Sequence, residues 1–374
     1  MNRLLKSYSI IFFLSVLTSL KAQVFTFADS IPTKISGVTH RYLPVHAENN
    51  FNFLFYPIKN KNQNFELITL KDTVISKMEI KNRRLDGGGS WYTSAAMSDK
   101  HLLLLHVDGF LVIYEKNKKG NYAFKETLNI KGIKFNIISF LDAENLLLMN
   151  DYNRYNETKL YDDYALCVFN LRTKKVIHDK EIDLGKGILF SHFASTLLME
   201  SKKNRIAVAH PTLPFIYVYN DKLESIDTVF VKFQDAISVD SAINAVFTDL
   251  FIEQNRFNPG LMIETIENKK INQMERIEKV FWLNEDILGY TVCQPFSQWA
   301  RIFVFYSLSE KRELYKKIEF YSEGEDAAYN FINSTRILIN NNKTIYHKAR
   351  YEEDESNFYY EFRLYDMLPF FGTK

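Results

Sequence analysis

The chain has 374 residues, a hydrophobic share of 46% and a formal net charge of +2 at pH 7. The hydrophobic share is ample for a large core, and the dispersed Lys and Arg residues exclude a basic nucleic-acid-binding surface. Two cysteines, Cys167 and Cys293, are too few for a disulfide-built scaffold.

The N-terminus has the pattern of a secretory signal peptide. Arg3 and Lys6 precede an apolar run over residues 8–17, and Ala22 supplies a small residue before Gln23. The run is shorter than the roughly 20 apolar residues that a membrane-spanning helix needs. We expect a signal peptide over residues 1–22, an exported mature chain over 23–374 and no integral membrane span; the alternative is an N-terminal membrane anchor.

The next regular feature is a hairpin motif in which an apolar run ends in an aromatic residue and a polar turn follows. The copies lie at residues 65–70, 110–115, 166–170, 215–220, 302–307 and 362–366. Another apolar run precedes each copy after the first, at 101–105, 145–149, 205–209, 286–290 and 336–339, and we expect these runs to be the second strands of their units. Apolar runs this short, bounded by Asn, Asp, Lys and Gly, are typical of strands rather than helices.

The spacing of the copies predicts an all-β fold, a six-bladed β-propeller. A period of about 45 to 60 residues with four strands per unit is what propeller blades have, and such blades bury their faces by stacking around an axis. We expect residues 24–27 to close the ring as an extra strand of the last blade. We expect residues 23–374 to form a single domain.

The one wider gap, residues 235–275, separates the fourth and fifth copies. Apolar residues there recur with helical spacing at Ile243, Val246, Phe247, Leu250 and Phe251, which predicts a helical insertion around residues 240–255. The alternative is a seventh blade, because residues 246–252 also fit a buried strand.

The signal peptide, the scarcity of Cys and the repeated hairpin together resemble the exported six-bladed propellers, TolB-like in outline, that are common in Bacteroidota. The resemblance is architectural and covers most of the mature chain. It implies a fold and an exported location: periplasmic, cell-surface or secreted. The sequence has no Trp-Asp repeat and no Ser-x-Asp-x-Gly-x-Thr-Trp box, so the resemblance implies no functional residues.

One face of the expected propeller is the candidate binding face. The loop that enters the first strand of a four-stranded meander and the loop between its second and third strands leave at the same end, and the most unusual segments fall there. Aromatic and amide side chains in such loops give adaptable contacts at low entropic cost. Ordinary solvated loops are the alternative. The candidate ligand-binding residues are Asp86, Trp91, Tyr92, His106, Tyr152, Arg154, Tyr155, His192, His210 and Trp299.

Catalytic and metal chemistry have little support in the sequence. No Cys-x-x-Cys, His-x-His or His-Glu-x-x-His spacing is present, so we expect no metal and no cofactor. No Gly-x-Ser-x-Gly elbow is present for nucleophilic catalysis. Carboxylates for sugar hydrolysis need no local motif in a propeller, and Asp86, Asp108 and Asp151 share the expected face.

These observations predict an exported module that binds a protein or a glycan through one loop face. The alternative function is a glycan-directed hydrolase with carboxylates at the mouth of the central channel. A fold does not determine an activity, so the residues of the site must distinguish a binding module from a hydrolase.

Overall fold

The structure is a computed structural model. It describes residues 25–36, 40–46, 51–57, 64–71, 74–81, 92–106, 109–130, 135, 137–149, 164–182, 198–211, 213–233, 275–293, 300–320, 338–340, 344–354 and 357–367. The regular secondary structure in these ranges is all β-strand. The strands form five sheets that are antiparallel except for one parallel strand pair, and none of these sheets closes on itself. The all-β expectation is therefore confirmed, and the expected helix at 240–255 lies outside the described residues.

The first two meanders form one eight-stranded sheet. Meander 1 comprises β2 (His40–His46), β3 (Phe51–Pro57), β4 (Phe65–Lys71) and β5 (Val74–Ile80). Meander 2 comprises β6 (Tyr92–Met97), β7 (His101–His106), β8 (Phe110–Lys116) and β9 (Tyr122–Asn129). The first strands of the two meanders, β2 and β6, pair in parallel through Val45 with Ala95 and His46 with Ala96.

Three separate four-stranded meanders follow. Meander 3 comprises β10 (Ile137–Phe140), β11 (Asn145–Met149), β12 (Tyr164–Asn170) and β13 (Lys175–Ile182). Meander 4 comprises β14 (Leu198–Lys202), β15 (Arg205–Ala209), β16 (Phe215–Tyr219) and β17 (Ser225–Phe230). Meander 5 comprises β18 (Arg276–Trp282), β19 (Ile287–Cys293), β20 (Ala300–Ser307) and β21 (Arg312–Phe320).

The terminal sheet joins the two ends of the chain. Its strands are β22 (Leu338–Asn340), β23 (Thr344–Asp354), β24 (Asn357–Met367) and, outermost, β1 (Phe25–Ser36). The expected pairing of the N-terminal strand with the last sheet is confirmed, with Phe25 opposite Met367 and Ser36 opposite Tyr359. The prediction that residues 336–339 form the second strand of this sheet is wrong, because β22 is an edge strand and β23 is the second strand. A search for apolar runs misses β23, because many of its residues are polar.

Successive sheets stack face to face, because alternate residues of each strand face opposite neighbours. In β11, Leu146 and Leu148 share a core cluster with meander 2, whereas Leu147 and Met149 share one with meander 4. The alternation repeats in β15, where Ile206 and Val208 face meander 3 and Ala207 and Ala209 face meander 5. Meanders 2, 3 and 4 therefore each bury both faces against the meanders before and after them.

The first strands of successive meanders lie side by side. β6 contacts β10, β10 contacts β14 and β14 contacts β18. Hydrogen bonds join them: Ile138 N donates to Ser94 Oγ (3.2 Å), Ser139 Oγ and Ser201 Oγ lie 2.9 Å apart, and Trp282 Nε1 donates to the Glu200 carbonyl (3.2 Å). The first strands of meanders 2 to 5 thus lie along one common edge of the stack.

The recurrent hairpin motif marks the end of each third strand. A polar residue at the end of the motif, or two residues after it, caps the following turn. Its side-chain oxygen accepts backbone N–H groups at Asn117, Asn170, Asn220 and Ser307. The outer strand then has a β-bulge opposite or next to the motif's aromatic residue, at Lys125, Ile177, Ile226 and Leu314. Such bulges increase the twist of an outer strand and disrupt its free edge.

Candidate functional site

The two ends of each meander are built differently. At one end the turns are short and described, for example 98–100, 117–121, 171–174 and 220–224. The longer connections leave from the other end, over residues 82–91, 150–163, 183–197, 231–275 and 294–299. We call these ends the short-turn face and the long-connection face.

Contacts between meanders 4 and 5 show that their first strands run in the same direction. The carbonyl of Pro211, beside the start of β14, accepts the Ile277 N–H at the start of β18 (2.7 Å). Lys202, at the end of β14, donates through Nζ to the carbonyl of Leu283, just past the end of β18 (2.8 Å). Together with the parallel pairing of β2 and β6, these contacts put the strand ends from which the long connections leave on the same side, for meanders 1 and 2 and for meanders 4 and 5.

Most of the predicted ligand-binding residues fall outside the described ranges. These residues are Asp86, Trp91, Tyr152, Arg154, Tyr155, His192 and Trp299, and the candidate carboxylates Asp108 and Asp151 join them. Tyr92, His106 and His210 are described, and all of them are buried. Their assignment to a ligand site stays a prediction.

Tyr92 and His106 form a cross-strand pair where β6 begins and β7 ends. Their rings meet edge to face at 5.6 Å, and Tyr56 and Phe65 contact the Tyr92 ring at 6.0 and 5.7 Å. Burial, reinforced by the neighbouring Tyr114, raises the pKa of Tyr92 above its ordinary value. This aromatic cluster stabilises the joint between meanders 1 and 2 just beneath the long-connection face.

His210 takes the place in meander 4 that His106 takes in meander 2. His106 ends the second strand of meander 2, and His210 directly follows the second strand of meander 4. The His106 carbonyl accepts the Gly109 N–H (2.8 Å), and the His210 carbonyl accepts the Leu213 N–H (3.2 Å). The two histidines therefore occupy equivalent positions in their meanders. His210 is fully buried, and burial lowers its pKa to about 4.

The burial of His210 predicts that stability falls in mild acid. In the unfolded chain the pKa of His210 returns to its ordinary value of 6.5. Below pH 6.5 the unfolded chain therefore takes up a proton that the folded chain does not, and the free energy of unfolding falls as the pH drops towards 4. Between pH 7.5 and pH 5 the free energy of unfolding should drop by about 2 kcal/mol from this group. Urea titrations at several pH values measure the drop, and His210→Gln should remove it. If the free energy of unfolding depended on pH equally in the parent chain and in His210→Gln, this explanation would be wrong.

Two buried carboxyl groups lie at the start of β18 and were missed by the sequence reasoning. Glu275 and Glu278 are both buried, Glu278 occupies a bulge, and its Oε1 lies 3.7 Å from Arg276 Nη2. The signal was present in the sequence, since Glu-Arg-Ile-Glu begins a strand that is otherwise apolar. The hydrogen bond between Ile277 and Pro211 brings this group beside the His210 turn.

Other chemistry is sparse in the described ranges. They contain no cluster of three His, Cys, Asp or Glu side chains able to hold a metal ion. Burial raises the pKa of the Cys167 thiol to about 12, which leaves it protonated and unreactive. Among these same residues, no helix has the length and apolar character needed to cross a membrane.

Comparison with known proteins places the fold among solved structures. No family model and no curated protein matches the chain. A member of the DUF4221 family from Bacteroides vulgatus has a similar structure, with a TM-score of 0.55 at 10% identity, over 91% of this chain and 97% of the other. A Bacteroides fragilis protein assigned as exported gives a TM-score of 0.50 at 12% identity, over 89% and 97% of the two chains. At these identities the similarity concerns the fold alone.

Proposed function

We propose that the chain is a six-bladed β-propeller that acts, outside the inner membrane, as a binding module for a protein or a glycan. The ring is supported by the four-stranded meanders, by their face-to-face stacking and by the first strands that lie side by side. The pairing of β1 with β24 is the arrangement by which propellers join their chain ends. A TolB-like outline is part of the proposal.

Export is supported by two observations. Residues 1–22 have the charge, apolar run and small terminal residue of a signal peptide. One protein of similar fold has been assigned as exported. The periplasm, the cell surface and the medium are all compatible with this signal.

The observation that carries the binding proposal is the asymmetry between the two faces. Short turns held by side-chain caps complete one end of the meanders, whereas every connection of more than about ten residues, which is long for compact domains, leaves from the other. Rigid scaffolds present their ligand contacts on such loops. The function therefore belongs to the long-connection face.

Replacing one long connection tests the proposal. We would exchange residues 152–162 for a Gly-Ser linker, which leaves β11 and β12 intact, and probe the mature chain against a glycan array and a cross-linked envelope extract. We expect ligands captured by the parent chain to be lost or weakened about tenfold, a change of about 1.4 kcal/mol.

The matched control is Lys118→Ala with Lys119→Ala in the short turn 117–121, and this variant should bind as the parent does. Equal capture by the loop variant and the control would contradict the proposal. The appearance of shortened glycan products would identify the hydrolase instead.

A further inference from the structure

A strip of aromatic rings lies on the outer part of meander 4 and faces meander 3. Phe215, Tyr217 and Tyr219 alternate along β16, with ring centroids 5.0 Å apart for the first pair and 6.0 Å for the second. All of them belong to or pack against the core cluster shared with meander 3. Tyr219 is buried, but Phe215 and Tyr217 are only half-buried, so part of each ring remains accessible to solvent.

The neighbouring outer strand β17 widens this strip. Phe230 is the direct cross-strand partner of Phe215, and Thr228 is that of Tyr217, so their side chains lie on the same face of the sheet. Phe230 is 71% exposed and Ile226, in the bulge, is 41% exposed. An exposed Phe beside two half-buried rings forms a continuous apolar surface at the rim.

Across from this strip, the outer strand β13 of meander 3 contributes positive charge, and we call the surface between β13 and the aromatic strip of β16 and β17 the rim cleft. Lys180 Nζ lies 5.1 Å from the centre of the Tyr219 ring. The carboxylates of the two outer strands point away from the cleft. Asp179 is the cross-strand partner of Cys167, which faces meander 2, and Glu181, two residues further along β13, lies on the same face as Asp179. Asp227 faces meander 5, where it contributes to raising the pKa of Tyr306.

From these walls we propose that the rim cleft between meanders 3 and 4 binds a polysaccharide that carries carboxylate groups. The C–H faces of pyranose rings pack against aromatic rings, and the Lys180 ammonium is the charge complement of a carboxylate. The side chains named here belong to β13, β16 and β17 and not to the long connections, so it is a second site and either site can fail without the other.

A peptide strand is a poorer fit, because the outer strand β17 is irregular. The Asp227 carboxylate accepts the backbone N–H of Thr228 at 2.8 Å. The bulge at Ile226 also breaks the register that an added strand would need. The edge therefore lacks the regular row of donors and acceptors on which strand addition depends.

Calorimetric titration with galacturonan oligosaccharides tests the proposal on the full mature chain. We expect binding, and we expect Phe230→Ala and Lys180→Gln each to weaken it about tenfold, the Lys180 variant also reducing its salt dependence. Both side chains are accessible at the rim, and thermal unfolding curves confirm that each variant is folded. Ile177→Ala and Lys222→Gln, an exposed apolar residue and an exposed lysine outside the cleft, are the matched controls and should bind as the parent does.

The competing ligands are tested with the same variants. The methyl-esterified oligosaccharides should bind at least about tenfold more weakly, and a poly-glutamate peptide should show no dependence on Phe230. The proposal is overturned if the galacturonan oligosaccharides do not bind, if esterification has no effect, if poly-glutamate binds with the same Phe230 dependence, or if the control variants lose affinity equally.

Discussion

Replacing Gly289 with alanine is expected to lower the free energy of unfolding by at least about 3 kcal/mol. Gly289 lies in β19 directly between Phe281 of β18 and Phe305 of β20. A methyl group at this position would overlap the Phe281 ring, well inside van der Waals contact. The Phe281 ring is buried and meets Phe305 edge to face at 6.0 Å, so the packed core leaves it little room to move.

Urea denaturation of the two chains measures the effect, and two further variants identify its cause. Gly120→Ala has open space around the added methyl group and a φ of +86°, so it should cost only about 1–2 kcal/mol through the backbone. Phe281→Leu should cost less in the Gly289→Ala chain than in the parent, because it relieves the clash. Additive effects of the two changes would refute the steric explanation.

A chain that begins at Gly37 is expected to lose most of its stability, which for a single domain is about 5–15 kcal/mol. The truncation removes β1, whose backbone pairs with β24 from Phe25 opposite Met367 to Ser36 opposite Tyr359. Without β1 the long strand β24 becomes an open sheet edge, which promotes aggregation. Circular dichroism and urea denaturation of the soluble fraction measure the loss.

A circular permutant separates the loss of the strand from the loss of its position in the sequence. Because Phe25 lies opposite Met367, joining Lys374 to Gln23 turns β24 and β1 into a hairpin. New ends can be opened between Lys118 and Lys119, both exposed in a short turn. The permutant should unfold cooperatively near the parent, and a truncated chain as stable as the parent would contradict the role of β1.

The strand pattern could be predicted from the sequence because each repeat has a local physical cause. The aromatic residue and the polar residue after it, such as Tyr219 and Asn220, mark a packed strand end and a turn cap. The last sheet is different, since β23 is rich in charged and polar residues from His347 to Asp354. A search for apolar runs therefore predicts the second strand at residues 336–339. The second strand is in fact β23, which pairs with β24.

The candidate site was harder to predict because residue type does not report burial. Tyr92 and His106 have the side chains of a binding surface, yet their pairing across β6 and β7 buries both in the joint between two meanders. The rim cleft was not foreseen, because it depends on which face of β13 and β17 each residue occupies. The bulges shift that face by one residue, and no short sequence pattern marks them.

The most direct test of the account is a crystal structure of the mature chain, residues 23–374. It should show β2, β6, β10, β14, β18 and β22 around one axis, with the terminal sheet packed against meander 1 and the long connections together on one face. An open arc in which the terminal sheet does not contact meander 1 would contradict the ring and the shared binding face.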